Sequence, residues 1–151
     1  MTPDVTLRSA LISEKEALEA LQWRASLNNP GDREALLTHA DAIAIPLDQL
    51  ASGLVFVAEC AGAIIGFAAI VPRGDGDSEL DALFVEPDLW RRGYGHALLL
   101  HCVEAARRRG SAALHVVGNP HAEAFYRACG FDRVGATETR FGAGLLMRMG
   151  L

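Results

Sequence analysis

An apolar strand, a glycine-rich turn and a long amphipathic helix follow one another in the middle of this sequence and constrain its fold most. The strand is the run SELDALFVEP, which Pro87 ends because proline cannot donate a hydrogen bond to a neighbouring strand. The turn contains Gly93 and Gly95. The helix covers residues 94–109, where apolar residues recur at helical spacing, and Gly110 follows its last turn. A strand that feeds a helix in this way predicts helices packed against a β-sheet.

The glycine-rich turn also has the features of an anion-binding site. Because Gly93 and Gly95 lack a Cβ, backbone N–H groups can approach an anion closely. A helix start leaves several N–H groups unpaired and carries about half a positive charge, and Arg91 and Arg92 add cationic donors. The segment therefore predicts a diphosphate site. It matches neither the Gly-x-x-x-x-Gly-Lys-Ser/Thr pattern nor the dinucleotide pattern with its third glycine or alanine.

The rest of the chain alternates between strand and helix patterns, and its order predicts the fold class. The predicted elements are a strand over residues 5–10, a helix from Ser13 to about Ser26 that the turn Asn28-Asn29-Pro30-Gly31 ends, a helix from about Asp32 to Ile43, a hairpin over 54–71, a strand over 112–117, a helix from His121 to Cys129, and strands over Phe131–Phe141 and Leu145–Met149. The order βααβββαβαββ predicts an α/β protein of the α+β type, with a mixed, mostly antiparallel central sheet and helices on both faces. We expect one domain over residues 1–151.

Charge and hydropathy exclude several classes of partner. The formal net charge of −5 disfavours binding to nucleic acid or to an anionic membrane surface, since both require a basic surface. No apolar run is long enough to span a membrane. The N-terminal residues lack the basic start and apolar block of a signal peptide, so the sequence predicts a cytoplasmic protein.

Neither the cysteines nor the acidic turns predict a metal site. Cys60, Cys102 and Cys129 are odd in number and widely spaced, which argues against a disulfide framework and against a zinc site. Asp75-Gly76-Asp77 matches only a fragment of a calcium-binding loop and is expected to form a turn.

Two segments together resemble the GNAT superfamily of acyl-CoA-dependent N-acetyltransferases. LDALFVEPDLWRRGYGHALLLHCVEAARRRG is similar to the central strand-to-helix motif of that family, and NPHAEAFYRACGF is similar to its second motif. The two motifs span residues 80–131, and the predicted element order extends the resemblance over essentially the whole chain. One departure is visible, because the family often has Gln or Arg where this sequence has Trp90, three residues before the first glycine.

The resemblance implies a GNAT-like fold and a set of cofactor-binding residues. Backbone amides from Arg92 to Ala97 would hold the pyrophosphate of acetyl-CoA, and the strand around Leu83, Phe84 and Val85 would pair with the pantetheine arm. Asn119 would contact the cofactor near its amide-bearing arm. The full predicted set is Leu83, Phe84, Val85, Arg91, Arg92, Gly93, Tyr94, Gly95, His96, Ala97, Asn119 and Phe125.

Three side chains are candidates for the chemistry of acyl transfer. Tyr126 is the candidate acid, because a phenol is protonated at neutral pH and can donate a hydrogen bond to the departing sulfur. In FYRACGF it also matches the position at which the family usually has its tyrosine acid. The alternative is a tyrosine that only packs between a helix and the sheet. Glu79 and Asp81 are candidate bases, because their spacing predicts that both lie on the strand face that carries Leu83 and Val85. The alternative for these carboxylates is a solvated strand start.

The sequence thus predicts an acetyl-CoA-dependent N-acetyltransferase that acts by direct transfer in a ternary complex. No cysteine lies in a recognisable nucleophile setting, which argues against an acyl-enzyme intermediate. The expected acceptor is the amine of a small molecule or peptide, and Gln22, Trp23, Ser26, Asn28 and Arg140 are candidate contacts to it. A catalytically inactive acyl-CoA-binding sensor, a phosphate-binding domain that does not use CoA, and a homodimeric state all remain open.

Overall fold

The computed structural model describes residues 4–29, 32–140 and 142–151. Within these ranges the strands are β1 (Thr6–Ser9), β2 (Val55–Cys60), β3 (Ala63–Pro72), β4 (Ser78–Val85), β5 (Ala113–Gly118), β6 (Asp132–Thr139) and β7 (Gly142–Gly150). The α-helices are α1 (Lys15–Asn28), α2 (Asp32–Thr38), α3 (Leu47–Ala51), α4 (Tyr94–Arg108) and α5 (Glu123–Ala128). Short 3₁₀ turns cover Ile12–Glu14, Ala40–Ala42, Pro87–Leu89 and Pro120–Ala122.

The strands form one sheet in the order β1-β2-β3-β4-β5-β7-β6, and β4–β5 is the parallel pair among otherwise antiparallel neighbours in the described part of the chain. The predicted fold class, a mixed and mostly antiparallel sheet with helices on both faces, is confirmed. The parallel pairing is short, since it joins only residues 78–80 to residues 114–116. Beyond Leu80 the two strands are no longer paired, and the sheet opens at its centre.

Two apolar layers hold the helices against the sheet. On one face, Leu98, Leu99 and Cys102 of α4 are buried together with Phe131 and Met147. On the other face, buried side chains of α1 pack on the inner strands, and this layer contains Leu18, Leu21, Val55, Val57 and Phe67. Burial of each such leucine stabilises the folded state by about 1.5–3 kcal/mol. The two layers therefore hold the sheet together although its central strands separate.

The second helix is shorter than predicted, and a further short helix was not predicted at all. The sequence pattern indicated a helix from about Asp32 to Ile43, but α2 ends at Thr38 and a 3₁₀ turn follows. The reason lies in α1, where Lys15 Nζ donates to Ile45 O at 2.7 Å and Glu19 Oε2 accepts from Ile45 N at 2.7 Å. These bonds hold the chain in an extended path across α1, and α3 then begins after Pro46. The predicted turn at Pro30-Gly31 and the predicted strand end at Phe141 lie outside the described residues.

Candidate active site

A cavity of about 780 Å³ occupies the opening between β4 and β5. Its walls come from the end of α1, the start of α2, the second half of β4, the turn before α4, the end of β5 and α5. Of the predicted cofactor-binding set, Leu83, Phe84, Val85, Arg91, Gly93, Tyr94, Gly95, His96, Asn119 and Phe125 line it, whereas Arg92 and Ala97 do not. Of the predicted catalytic residues, Tyr126 and Asp81 line it and Glu79 does not.

The start of α4 presents a row of backbone donors at one end of this cavity. Gly93 caps the helix with a φ of 88°, a left-handed conformation that glycine adopts without strain. The first helical hydrogen bond runs from Ala97 N to Gly93 O at 3.0 Å. Within the described chain, no oxygen accepts a hydrogen bond from the N–H groups of residues 91–96. Such a row of N–H groups at the positive end of a helix suits an anion.

The second glycine of the turn leaves room in front of these donors. A Cβ on Gly95 would lie 3.7 Å from the Phe125 ring and 3.9 Å from Val85, which are ordinary contact distances. The packing of the protein therefore does not require a glycine here. Since Gly95 lines the cavity, the absence of its side chain keeps the approach to the N–H groups open, as a bound diphosphate would require.

Two contacts hold the loop between β4 and the helix start in place. Trp90 Nε1 donates to the Val85 carbonyl oxygen at 2.8 Å. Arg24 of α1 donates to both carboxylate oxygens of Glu86, at 2.9 and 3.2 Å. Trp90, the residue that departs from the family pattern, therefore has a structural role here, because its indole hydrogen bond connects the turn to the end of β4.

Tyr126 lies in α5 with its ring packed among other aromatic rings. Its ring centroid lies 5.4 Å from that of Phe125 and 5.5 Å from that of Phe131, and both pairs are T-shaped. A Cβ on Gly118 would lie 3.2 Å from the Tyr126 ring, so this glycine of β5 lets the ring approach the strand closely. Burial raises the pKa of Tyr126 to about 12, with smaller contributions from Cys129 and Asp32. The phenol is therefore protonated at neutral pH and can act as a hydrogen-bond donor.

A β-bulge separates the two candidate bases. Ala69 of β3 pairs with Ala82, but Ile70 pairs with Leu80, so Asp81 is an extra residue in β4. The bulge reverses the alternation of the strand, and Leu80 faces the same apolar layer as Leu83 and Val85. The expectation that Glu79 and Asp81 share the face of Leu83 and Val85 is therefore wrong.

The two carboxylates consequently have different partners. Asp81 lines the cavity and accepts a hydrogen bond from Gln49 Nε2 at 2.9 Å. Glu79 forms an ion pair with Arg73, at 3.5 Å between Nη1 and Oε1, away from the cavity. Of the two candidate bases, Asp81 is the one that a molecule in the cavity can reach.

A polar cluster at the end of β5 contains a cavity residue that the sequence reading missed. Asn119 Nδ2 donates to Asp32 Oδ1 at 2.8 Å, and Asn119 Oδ1 accepts from His121 N at 2.9 Å. Asp32 opens α2 and lines the cavity. No local motif marks it, because the contact joins residues 87 positions apart.

None of the acceptor contacts proposed from the sequence lines the cavity, although four of the five lie in α1 within a few positions of Ala25 or Asn29. In this part of the described chain, the lining residues are Ala25 of α1, Asn29 directly after α1 and Asp32 of α2. The candidates Gln22, Trp23, Ser26, Asn28 and Arg140 do not line it. The predicted helix is present, but tertiary packing sets the rotation of α1 about its axis, and Ala25 is the α1 residue that faces the opening.

His96 of α4 and Cys129 at the end of α5 lie close together. His96 Nδ1 lies 3.5 Å from Cys129 Sγ, and burial raises the pKa of the Cys129 thiol. Asp75, Asp77 and His115 each bring one potential ligand atom within 4.8 Å of the others. However, Asp77 already accepts from His115 at 2.9 Å and from Ala112 N at 3.0 Å. These contacts fasten the starts of β4 and β5 together.

With this geometry, the class of the protein follows from comparison with known families. A model of the acetyltransferase (GNAT) family matches residues 16–131, and the chain belongs to this family. No described helix is long and apolar enough to cross a membrane.

Among known proteins, similarity extends to a curated relative and to solved structures. A UPF0039 protein of Schizosaccharomyces pombe is 24% identical over 87 residues, which are 56% of this chain and 58% of that protein. A ribosomal-protein-alanine N-acetyltransferase from Brucella melitensis is 26% identical, with 97% of this chain and 99% of that one covered and a TM-score of 0.73. The PaiA N-acetyltransferase from Thermoplasma acidophilum, solved in complex with coenzyme A, is 18% identical over 98% and 99% of the two chains, with a TM-score of 0.77.

Proposed function

We propose that this protein transfers an acetyl group from acetyl-CoA directly to a primary amine while both substrates are bound. The observation that carries the proposal is that one cavity is lined by the donor row at the start of α4, by the phenol of Tyr126 and by the carboxylate of Asp81. Membership of the GNAT family supports the reaction class. The proposal treats residues 1–151 as a single catalytic domain.

The donor row and the second half of β4 would bind the cosubstrate. The N–H groups of Arg92 to His96 would hold the pyrophosphate, with cationic help from the exposed side chains of Arg91 and Arg92. The pantetheine arm would run along residues 83–85 into the opening of the sheet and form hydrogen bonds as an added strand does. A backbone N–H of this strand would polarise the thioester carbonyl.

Asp81 and Tyr126 would handle the protons of the reaction. An ammonium with a pKa of about 10.4 costs roughly 4.6 kcal/mol to deprotonate at pH 7, so a carboxylate within reach of the bound amine is useful. Asp81 has this access, directly or through a water molecule. Tyr126 would donate its phenolic hydrogen bond to the sulfur as the carbon–sulfur bond breaks. The amine attacks the thioester carbonyl itself, so no covalent enzyme intermediate is required.

The acceptor class proposed is the amine of a small molecule or peptide. The Brucella enzyme with the similar fold is named for a ribosomal-protein alanine, which is a peptide acceptor. The acidic net charge of −5 is compatible with a cationic acceptor.

The proposal is tested by binding and turnover measurements together. Calorimetry should detect acetyl-CoA binding, and a panel of amines with thiol detection should show CoA release that depends on an amine. Binding without CoA release across the panel would instead favour the acyl-CoA-binding sensor. Equally tight binding of nucleotides that lack the pantetheine arm would contradict the proposed path along β4.

A further inference from the structure

Asp32 lines the cavity, and one of its two carboxylate oxygens accepts a hydrogen bond from within the protein. Asn119 Nδ2 donates to its Oδ1 at 2.8 Å. In the described chain, no hydrogen bond or ion pair involves its Oδ2. Asp32 lines the cavity, and because Asn119 donates to Oδ1, Oδ2 is the carboxylate oxygen that is left for a molecule bound there.

The orientation of Asn119 fixes this arrangement. Its Oδ1 accepts a hydrogen bond from His121 N at 2.9 Å, so its amide nitrogen must face the other way, toward Asp32. An amide nitrogen can only donate, and it therefore holds Asp32 as an acceptor. Asp32 also lies in the first turn of α2, where the helix dipole favours a negative charge.

Asp32 lines the same cavity as the candidate acid, Tyr126. Its charge is one of the causes that raise the pKa of Tyr126. A carboxylate beside a departing thiolate is unfavourable unless a positive charge lies between them, and the attacking nitrogen carries such a charge once it has bonded to the carbonyl carbon. The other charged or titratable side chains that line the same cavity are Asp81 of β4, Arg91, Tyr94 and His96 around the start of α4, and His121.

We propose that Asp32 is a second catalytic carboxylate, which accepts a proton from the nitrogen after attack and returns it to Tyr126. In this step the neutral amine forms the carbon–nitrogen bond, and Asp32 Oδ2 takes one proton from the resulting ammonium. The carbonyl re-forms, the carbon–sulfur bond breaks, and the sulfur receives the proton of Tyr126 Oη. The proton on Asp32 then passes to the phenolate, so that one amine and one thioester give one amide and one thiol with both side chains restored.

This inference rests on the proposed function, and it assigns Asp32 a role that differs from that of Asp81. Asp81 would be needed to deprotonate the incoming ammonium, and a pH above the pKa of the amine makes that step unnecessary. Asp32 would act after attack, when the nitrogen is positively charged at any pH. Measuring kcat at saturating amine and high pH therefore distinguishes the roles of the two carboxylates.

The experiment compares Asp32→Asn, Asp32→Glu and Asp81→Asn with the wild-type chain and an acceptor from the amine screen, at pH 7 and above the pKa of that acceptor. Asp32→Asn keeps an oxygen that can accept from Asn119, and unchanged melting temperatures establish that the variants fold. Asp132→Asn is the matched control, because Asp132 is an exposed residue of β6 that does not line the cavity.

We expect Asp32→Asn to lower kcat by about 100-fold at both pH values, with acetyl-CoA affinity retained. Asp32→Glu should recover part of the loss, and Asp81→Asn should approach the wild-type rate at the higher pH. A kcat of Asp32→Asn within threefold of wild type at high pH would overturn the inference alone. Absence of amine-dependent CoA release by the wild-type protein would overturn the proposed function, and this inference with it.

Discussion

The Trp90 indole N–H donates to the Val85 carbonyl oxygen at 2.8 Å, and this bond joins the last residue of β4 to the turn that opens α4. β4 would hold the acyl-pantetheine arm, and the turn would hold the pyrophosphate. The indole therefore fixes the relative position of the two parts of one proposed cosubstrate site. Trp90 also packs against the apolar layer that α4 covers.

We expect Trp90→Phe to weaken acetyl-CoA binding several-fold. The phenyl ring keeps most of the packing but cannot donate to Val85, and a buried carbonyl that loses its donor costs about 1–3 kcal/mol. Part of that cost should appear as a lower melting temperature and part as a higher Kd measured by calorimetry. Trp23→Phe is the control, because Trp23 does not line the cavity. Equal effects of the two substitutions on the Kd would contradict the coupling.

The second glycine of the turn gives a test that separates binding from folding. Gly95→Val should raise the Kd for acetyl-CoA at least tenfold, about 1.4 kcal/mol, because the new side chain would stand in front of the donor row. The fold should tolerate it, since the nearest atom to the added Cβ lies at 3.7 Å. Gly74→Val is the matched control, at a glycine with open space around it and no left-handed backbone. An unchanged Kd in folded Gly95→Val would remove the diphosphate assignment.

The sequence predicted the fold class well because its strongest patterns are local. Pro87, the glycine turn and the amphipathic stripe of α4 all lie within one continuous segment, so short-range rules apply. The end of α2 could not be predicted, because Lys15 and Glu19 of another helix bind the backbone of Ile45. The bulge at Asp81 was missed for a related reason. It is defined by the register between β3 and β4, and period-two alternation assumes that no extra residue is present.

The bulge leads to different predictions for the two carboxylates of β4. Asp81→Asn should flatten the acidic limb of the profile of kcat/KM against pH, because Asp81 reaches the cavity and would take the ammonium proton. Glu79→Gln should leave that limb in place, since Glu79 is paired with Arg73 away from the cavity. Wild-type profiles for both variants would mean that water or the free amine equilibrium replaces a base on β4.

His101 should make the stability of the fold depend on pH. The ring of this α4 residue lies 4.6 Å from that of Phe56, and burial, with a smaller effect of Arg108, lowers its pKa from 6.5. Because its pKa is lower in the folded protein, the folded state favours the neutral imidazole of His101. Its contribution to the free energy of unfolding is therefore fully present above about pH 6.5 and is lost as the pH falls below that value.

This dependence is measured by urea unfolding at pH 7.5 and pH 5.5. The free energy of unfolding of the wild-type protein should fall between the two, and His101→Gln should show a smaller fall. Because the other histidines are present in both proteins, the difference between the two falls belongs to position 101. An identical fall in the variant would show that the charging of His101 does not oppose folding.

Tyr126→Phe decides between an acid and a packing residue, because it removes one hydroxyl and keeps the ring among Phe125, Phe131 and Gly118. A hydrogen bond to the sulfur strengthens only as negative charge develops there, so the loss should fall on kcat while acetyl-CoA affinity is nearly intact. A positioned acid contributes about 10²–10⁴-fold. We expect the lower end of that range, since a phenol with a pKa of about 12 is a weaker acid than the departing thiol and acts mainly as a hydrogen-bond donor. The measurement is steady-state kinetics on a variant with an unchanged melting temperature, under conditions where chemistry limits the rate. A decrease in kcat of less than threefold would return Tyr126 to the packing role, because the ring contacts that remain in the variant would then account for all that the residue does.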